Sequence, residues 1–311
     1  MDRLTLSLAG FPVAVSSPCL SRLFDRSGGF SHFLQPGLQP LWQVSFDHPQ
    51  RPWPDGVLLS SFHFSENGCQ CLFLRKGDDY QFLMRRSGSE PPLACLTYRR
   101  GSRTVLAAPC SDVASWRFAL WFALSLLGAD AGVSFVHSSV VVFRGQAVLF
   151  LGESGTGKST HSRLWLQSVP GCHILNDDSP FLSLASGAPV VFGSPWSGKS
   201  PVFDARHFPL KAIVRLSQAP RNAISRLSLL RAFASLQPSL PPALMQDDGS
   251  LSLPPDAPRS AFPPFADVLV DLISQTLSQT PVYHLQCLPN PDAALLCAQT
   301  LFGPLPSLSL Q

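Results

Sequence analysis

The stretch FVHSSVVVFRGQAVLFLGESGTGKSTHSRLWL, Phe135 to Leu166, joins an apolar run to a glycine-rich loop and a helical pattern. QAVLFL reads as a strand that ends where the glycines begin. GESGTGKS, Gly152 to Ser159, fits the spacing G-x-x-x-x-G-K-[ST] of a Walker A loop. KSTHSRLWLQS reads as the helix that follows. Strand, loop and helix in this order predict a phosphate-binding turn.

The physical logic is direct. Glycines let successive backbone N–H groups converge on an anion. The helix start adds its partial positive charge. Lys158 is placed to reach the β- and γ-phosphates, and the Ser159 hydroxyl to ligate Mg²⁺. Gly152, Glu153, Ser154, Gly155, Thr156, Gly157, Lys158, Ser159 and Thr160 are therefore expected to hold ATP with Mg²⁺. A glycine-rich turn without a nucleotide is the plainer alternative.

Upstream, Val133–Phe143 and Gln146–Leu151 are expected to form a hairpin turning at Arg144-Gly145. Gly at the second turn position suits a positive φ. Phe143 then faces Gln146, and counting back puts His137 opposite Gly152. A histidine there can touch a nucleotide, a metal or an aspartate; it can also be a half-buried residue bonded to backbone. Downstream, Asp177 and Asp178 follow HIL at the end of another expected strand. Phosphoryl transfer needs one carboxylate to position Mg²⁺ and a second group to orient or deprotonate the acceptor. Without the loop upstream, NDDSP would read as a solvated turn.

VHSSVVVF, FLGESGTGKSTHS and LNDDSPFL together resemble the catalytic domain of HPr kinase/phosphorylase and its relatives, the ATP-dependent phosphoenolpyruvate carboxykinases. The resemblance covers Val133 to Asp178 and is only topological beyond it. It implies an α/β fold with a P-loop kinase core of HPr kinase/phosphoenolpyruvate carboxykinase type. It implies a phosphotransferase that moves the γ-phosphate of ATP to a hydroxyl, on a protein serine, a peptide or a small molecule. By the same resemblance Lys158 and Ser159 bind phosphate and Mg²⁺. Asp178 matches the metal-side carboxylate and Asp177 the base, with the reverse assignment left open. His137 matches the family histidine near the transferred phosphate or metal.

This chain also departs from that family. The loop that engages the carrier protein in HPr kinases is not recognisable, and GSPWSGKSP stands in its place. HPr itself is therefore not the expected acceptor. The carboxykinase set of substrate arginines is absent as well. In GSPWSGKSP, Trp196 is a candidate ligand cover and Lys199 a phosphate-binding cation; a turn closing a hairpin is the alternative. Arg206 and Arg215 are candidates to stabilise transition-state charge, or are structural. A regulator that senses ATP without turnover and a carboxykinase-like enzyme are the competing functions. No Asn-Lys-x-Asp guanine motif and no Leu-Ser-Gly-Gly-Gln occurs.

The 311 residues suit two ordinary domains: a β-rich N-terminal one over 1–112 and the P-loop domain over 113–311. Short runs such as GVLLSSFHFS, CQCLFLRK, DYQFLMRRS and LACLTYRR, broken by turn signals, carry the β reading. No catalytic motif stands out among them. ASWRFALWFALSLLG reads as a buried helix because apolar residues cover most of its faces. The Pro-rich PSLPPALMQDDGSLSLPPDAPRSAFPPF is expected to be irregular.

A net charge of +3, with no basic run, argues against nucleic-acid or membrane partners. MDRLTLSLAGFPV lacks the build of a signal peptide. The eight cysteines form no Cys-x-x-Cys pattern and are expected to be reduced, buried thiols in a cytoplasmic protein. A homo-oligomer is left open.

Overall fold

A computed structural model describes residues 2–18, 20–21, 24, 28–64, 68–86, 91–110, 112–198, 201–241 and 265–305. The fold mixes helix and sheet, with more strand than helix. The chain divides into two compact units, Met1–Gly132 with Pro241–Leu269, and Val133–Leu240 with Val270–Gln311.

The first unit is built on an eight-stranded sheet: β1 (Asp2–Leu8), β2 (Phe11–Ser17), β3 (Trp42–Ser45), β4 (Val57–Phe64), β5 (Cys69–Lys76), β6 (Asp79–Arg86), β7 (Ala94–Arg99) and β8 (Thr104–Ala107). Their order is β1-β2-β3-β8-β7-β6-β5-β4. From β4 to β8 it is an antiparallel meander, which short turn-separated runs produce. Helix α1 (Val113–Ala129) is capped by the Asp112 side chain, which accepts from the Ser115 amide at 2.9 Å. Trp116 packs on Phe30 at 5.3 Å, and Phe122 stacks on Phe82 at 4.1 Å. These rings are all buried, so α1 belongs to the first unit. The expected boundary after residue 112 therefore moves to Gly132/Val133. Phe265 lies 5.3 Å from the Tyr80 ring, which brings a later stretch of chain into the same unit. β3 and β8, four residues each, were too short for periodicity to reveal.

The second unit carries a nine-stranded sheet. Its strands are β9 (Val133–Phe135), β10 (Ser139–Phe143), β11 (Gln146–Leu151), β12 (His173–Asn176), β13 (Phe181–Ser183), β14 (Val190–Phe192), β15 (His207–Gln218), β16 (Ala223–Arg226) and β17 (Val282–Cys287). Strands β11, β15 and β17 run parallel side by side. Helices α2 (Lys158–Ser168), α3 (Leu229–Leu236) and α5 (Pro291–Phe302) accompany this sheet, and α4 (Ala266–Gln279) runs across the division at Leu269/Val270. Trp165 on α2 and Ala294, Cys297 and Ala298 on α5 are buried in one cluster with Val148, Phe150 and Val214 of the sheet.

The expected hairpin forms in the expected register, with Phe143 opposite Gln146. Arg144 and Gly145 both take positive φ, 50° and 71°, the backbone of a type I′ turn. Arg144 is held there by bonds to the Phe302 and Pro304 carbonyls at 3.0 and 3.1 Å. The upstream run is not one strand, however. It splits into β9 and β10, because residues 136–138 leave the ladder and pair elsewhere. The amides of Val136, His137 and Ser138 donate to the carbonyls of Pro180, Ser239 and Asp178.

All seven described cysteines are free thiols. Among the described residues, no helix is long and apolar enough to cross a membrane. Most of the Pro-rich stretch, 242–264, lies outside the described residues.

Gly193 tests how tightly the second unit is closed. A Cβ built there would sit 1.7 Å from the Asp204 carbonyl oxygen, which is backbone and cannot swing aside. Gly193→Ala should cost at least about 2 kcal/mol in denaturant unfolding; an unchanged midpoint would contradict this packing.

Candidate phosphate-binding site

The glycine loop sits at the carboxyl end of β11, beside the carboxyl ends of β15 and β17. Ligands commonly bind at this edge of a parallel sheet. Gly155 and Gly157 take φ of 81° and 101°, conformations that an L side chain strains to adopt. Gly157 is also the residue from which α2 starts. A Cβ on Gly152 would meet Thr156 Oγ1 at 2.5 Å. The Thr156 hydroxyl donates to the Glu153 carbonyl and closes the turn. Lys158 Nζ folds over the loop and donates to the Gly152 carbonyl at 2.7 Å. Ser159 follows in the first turn of α2, and Thr160 is exposed.

The aspartates reach this loop. Partial burial holds the Lys158 pKa below its ordinary value, against the pull of the Asp178 and then the Asp177 carboxylate. His137 Nδ1 lies 3.8 Å from Asp178 Oδ1. The surrounding loops and then the Lys158 charge hold the His137 pKa below its ordinary value, against the pull of Asp178. Lys158, His137, Asp177 and Asp178 therefore form one electrostatic group. Its histidine arrives through the residues 136–138 crossover, not by facing Gly152 across the hairpin.

The two aspartates differ. Asp178 is partly exposed and accepts from the Ser179 hydroxyl at 2.8 Å. Asp177 is buried, and its Oδ1 has no hydrogen-bond partner. Such oxygens are nearly always satisfied. A divalent cation with its water shell is one group that would relieve this one. Among the described residues no three His, Cys, Asp or Glu side chains form a metal cluster. Mg²⁺ characteristically uses one or two carboxylates together with phosphate and water, so the residues present fit it.

Asn176, not foreseen as a site residue, organises the aspartates. Fully buried, it receives the amides of Asp178 and Ser179 on Oδ1, each at 3.0 Å. Its Nδ2 donates to the carbonyls of Ser194 and Trp196 at 3.2 and 3.0 Å. The Ser194 hydroxyl completes the tie by donating to the Ser179 carbonyl at 2.6 Å. Gly198 is packed so closely that a Cβ would lie 2.8 Å from the Asp177 carbonyl. GSPWSG is thus joined to the aspartate turn through its backbone. The only sequence signal was the Asn itself, hidden in a run of turn formers.

The remaining candidates separate. Trp196 is buried and meets Phe135 edge-to-face at 5.3 Å, so its indole packs within the second unit. Arg206 is committed to Asp204 at 2.6 Å. Arg215, opposite Leu151 in the parallel ladder, lies 3.5 Å from Glu153 in the loop. Gln218, also not foreseen, bonds the Gly155 carbonyl at 3.5 Å. Lys199 lies outside the described residues.

His161 underpins the loop from inside α2. It is buried edge-to-face on Phe150 at 4.7 Å and accepts the Trp165 indole N–H at 3.2 Å. Burial lowers its pKa from 6.5 to about 4.

No family model matches the chain, and no curated protein is significantly similar to it.

The unfolded chain takes up the His161 proton near pH 6.5 and the folded one only near 4, so stability falls as pH drops through that window. Between pH 7 and 4.5 this histidine alone should cost about 2–3 kcal/mol. Unfolding of wild type and His161→Gln across that range checks it: wild type should lose stability relative to the variant on acidification. A constant difference would contradict the buried neutral imidazole.

Proposed function

We propose that the second unit is a P-loop phosphotransferase of HPr kinase-like type, using ATP and Mg²⁺ to phosphorylate a hydroxyl. The observation that carries this reading is the gathering of Lys158, His137, Asp177 and Asp178 beside the glycine loop. A glycine-rich turn with only a structural role has no use for two carboxylates, a histidine and a lysine at its mouth. The resemblance of Val133–Asp178 to the HPr kinase family supports the same conclusion.

In this reading the loop amides and Lys158 bind the phosphates. Ser159 and Asp177 are the residues that would hold Mg²⁺, which when bound neutralises charge on the phosphates. Asp178 is reachable from solvent and backed by His137. It takes the proton of the acceptor hydroxyl as that oxygen bonds to the γ-phosphorus and ADP departs. This exchanges the roles expected for the two aspartates, because the unpaired buried oxygen belongs to Asp177. Arg215 is close enough to the loop to offer charge to the phosphates; Arg206 is not proposed for this role.

Two measurements test the proposal. Calorimetry with Mg-ATP should show binding by wild type and at least about a tenfold loss in Lys158→Ala, since a charge-assisted contact is removed. Incubation with γ-labelled ATP and a cell extract should label an acceptor. Asp178→Asn should keep nucleotide binding and lose labelling by about a hundredfold or more. Full labelling by Asp178→Asn would refute its role as base. Binding without any labelled acceptor would favour an ATP-sensing regulator.

A further inference from the structure

A cavity of about 540 Å³ opens beside the glycine loop, within the second unit. Gly155 to Gly157 and Thr160 form one wall. Leu164 of α2, Leu216 near the end of β15, and Leu288 and Pro289 after β17 form the others. The size falls in the range of small-molecule pockets, which are mostly apolar with a few placed polar groups.

The polar groups around this cavity are largely engaged already. The Ala219 amide donates to the Cys287 carbonyl at 3.2 Å. The Leu288 amide donates to Asn222 Oδ1 at 2.8 Å, and the Leu288 carbonyl accepts from Asn290 at 2.9 Å. Gln218 Nε2 is turned to the Gly155 carbonyl at 3.5 Å. His161 Nε2 is taken by Trp165. A backbone amide has one proton to give, so those of Ala219 and Leu288 have none left for the edge of a base, and the Gln218 side chain, which keeps a second proton, is turned toward the loop.

We infer that this cavity holds the base of a purine nucleotide by apolar enclosure, and that the protein discriminates little between adenine and guanine. The inference rests on the phosphate-loop reading, since the cavity begins where the phosphates would be held. It adds how the nucleoside is chosen: by ring size and flatness, with Leu164, Leu216 and Leu288 against its faces and rim.

Calorimetry on the full chain with the magnesium complexes of ATP, GTP, CTP and inorganic tripolyphosphate tests it. ATP and GTP should bind within about threefold of each other, and both about tenfold or more tighter than tripolyphosphate, from the apolar area the base buries. CTP should fall between. Leu288→Ser, at a residue already 37% exposed, should weaken ATP several-fold and leave tripolyphosphate unchanged. If tripolyphosphate binds as tightly as ATP, the loop reading stands and the base pocket is overturned. If ATP exceeds GTP by about thirtyfold or more, a hydrogen-bond code selects the base and the inference is wrong. If no compound binds, the loop reading itself fails, and the base pocket with it.

Discussion

One buried side-chain amide, that of Asn176, fixes the geometry on which the candidate site depends. Its oxygen receives two consecutive amides of the aspartate turn, and its nitrogen reaches the carbonyls of Ser194 and Trp196. A buried amide left unpaired costs roughly 1–3 kcal/mol. Neither the aspartate turn nor the GSPW loop can therefore move away without stranding this group. The consequence is local and chemical. Two carboxylates that would repel one another and prefer water are held near the Lys158 ammonium.

The split of the upstream run has its own backbone ties. β10 follows the register its turn dictates, but residues 136–138 have amides that pair with Pro180, Ser239 and Asp178. This redirection turns His137 toward Asp178. Meanwhile the loop is shaped by backbone freedom at Gly155 and Gly157 and by the Thr156 clamp on Glu153. Two independent devices, a buried amide and a strained glycine turn, thus converge on one anion-binding mouth.

Much of this was legible in the sequence. The strand–loop–helix unit, the Arg144-Gly145 turn and the strand before the aspartates all rest on local chemistry, and local chemistry is what a sequence displays. The long-range ties were not legible. Nothing local distinguishes Asn176 from the turn formers around it, because its partners lie 18 and 20 residues away. The packing of Trp196 was hidden for the same reason: its sequence neighbours are glycine, proline and serine, and its partner, Phe135, comes from β9. The domain boundary was displaced for a related reason. An apolar helix shows that it must be buried but not against which sheet, and α1 settles on the aromatic face of the first.

The claim that Asn176 holds the aspartates at the loop is tested most directly by ATP calorimetry with and without Mg²⁺, on wild type and Asn176→Ala. Circular dichroism would confirm that the variant is folded. Wild type should gain affinity when Mg²⁺ is added, whereas the variant should keep Mg²⁺-independent binding and lose most of that gain. An equal Mg²⁺-dependent gain in both proteins would contradict this role of Asn176.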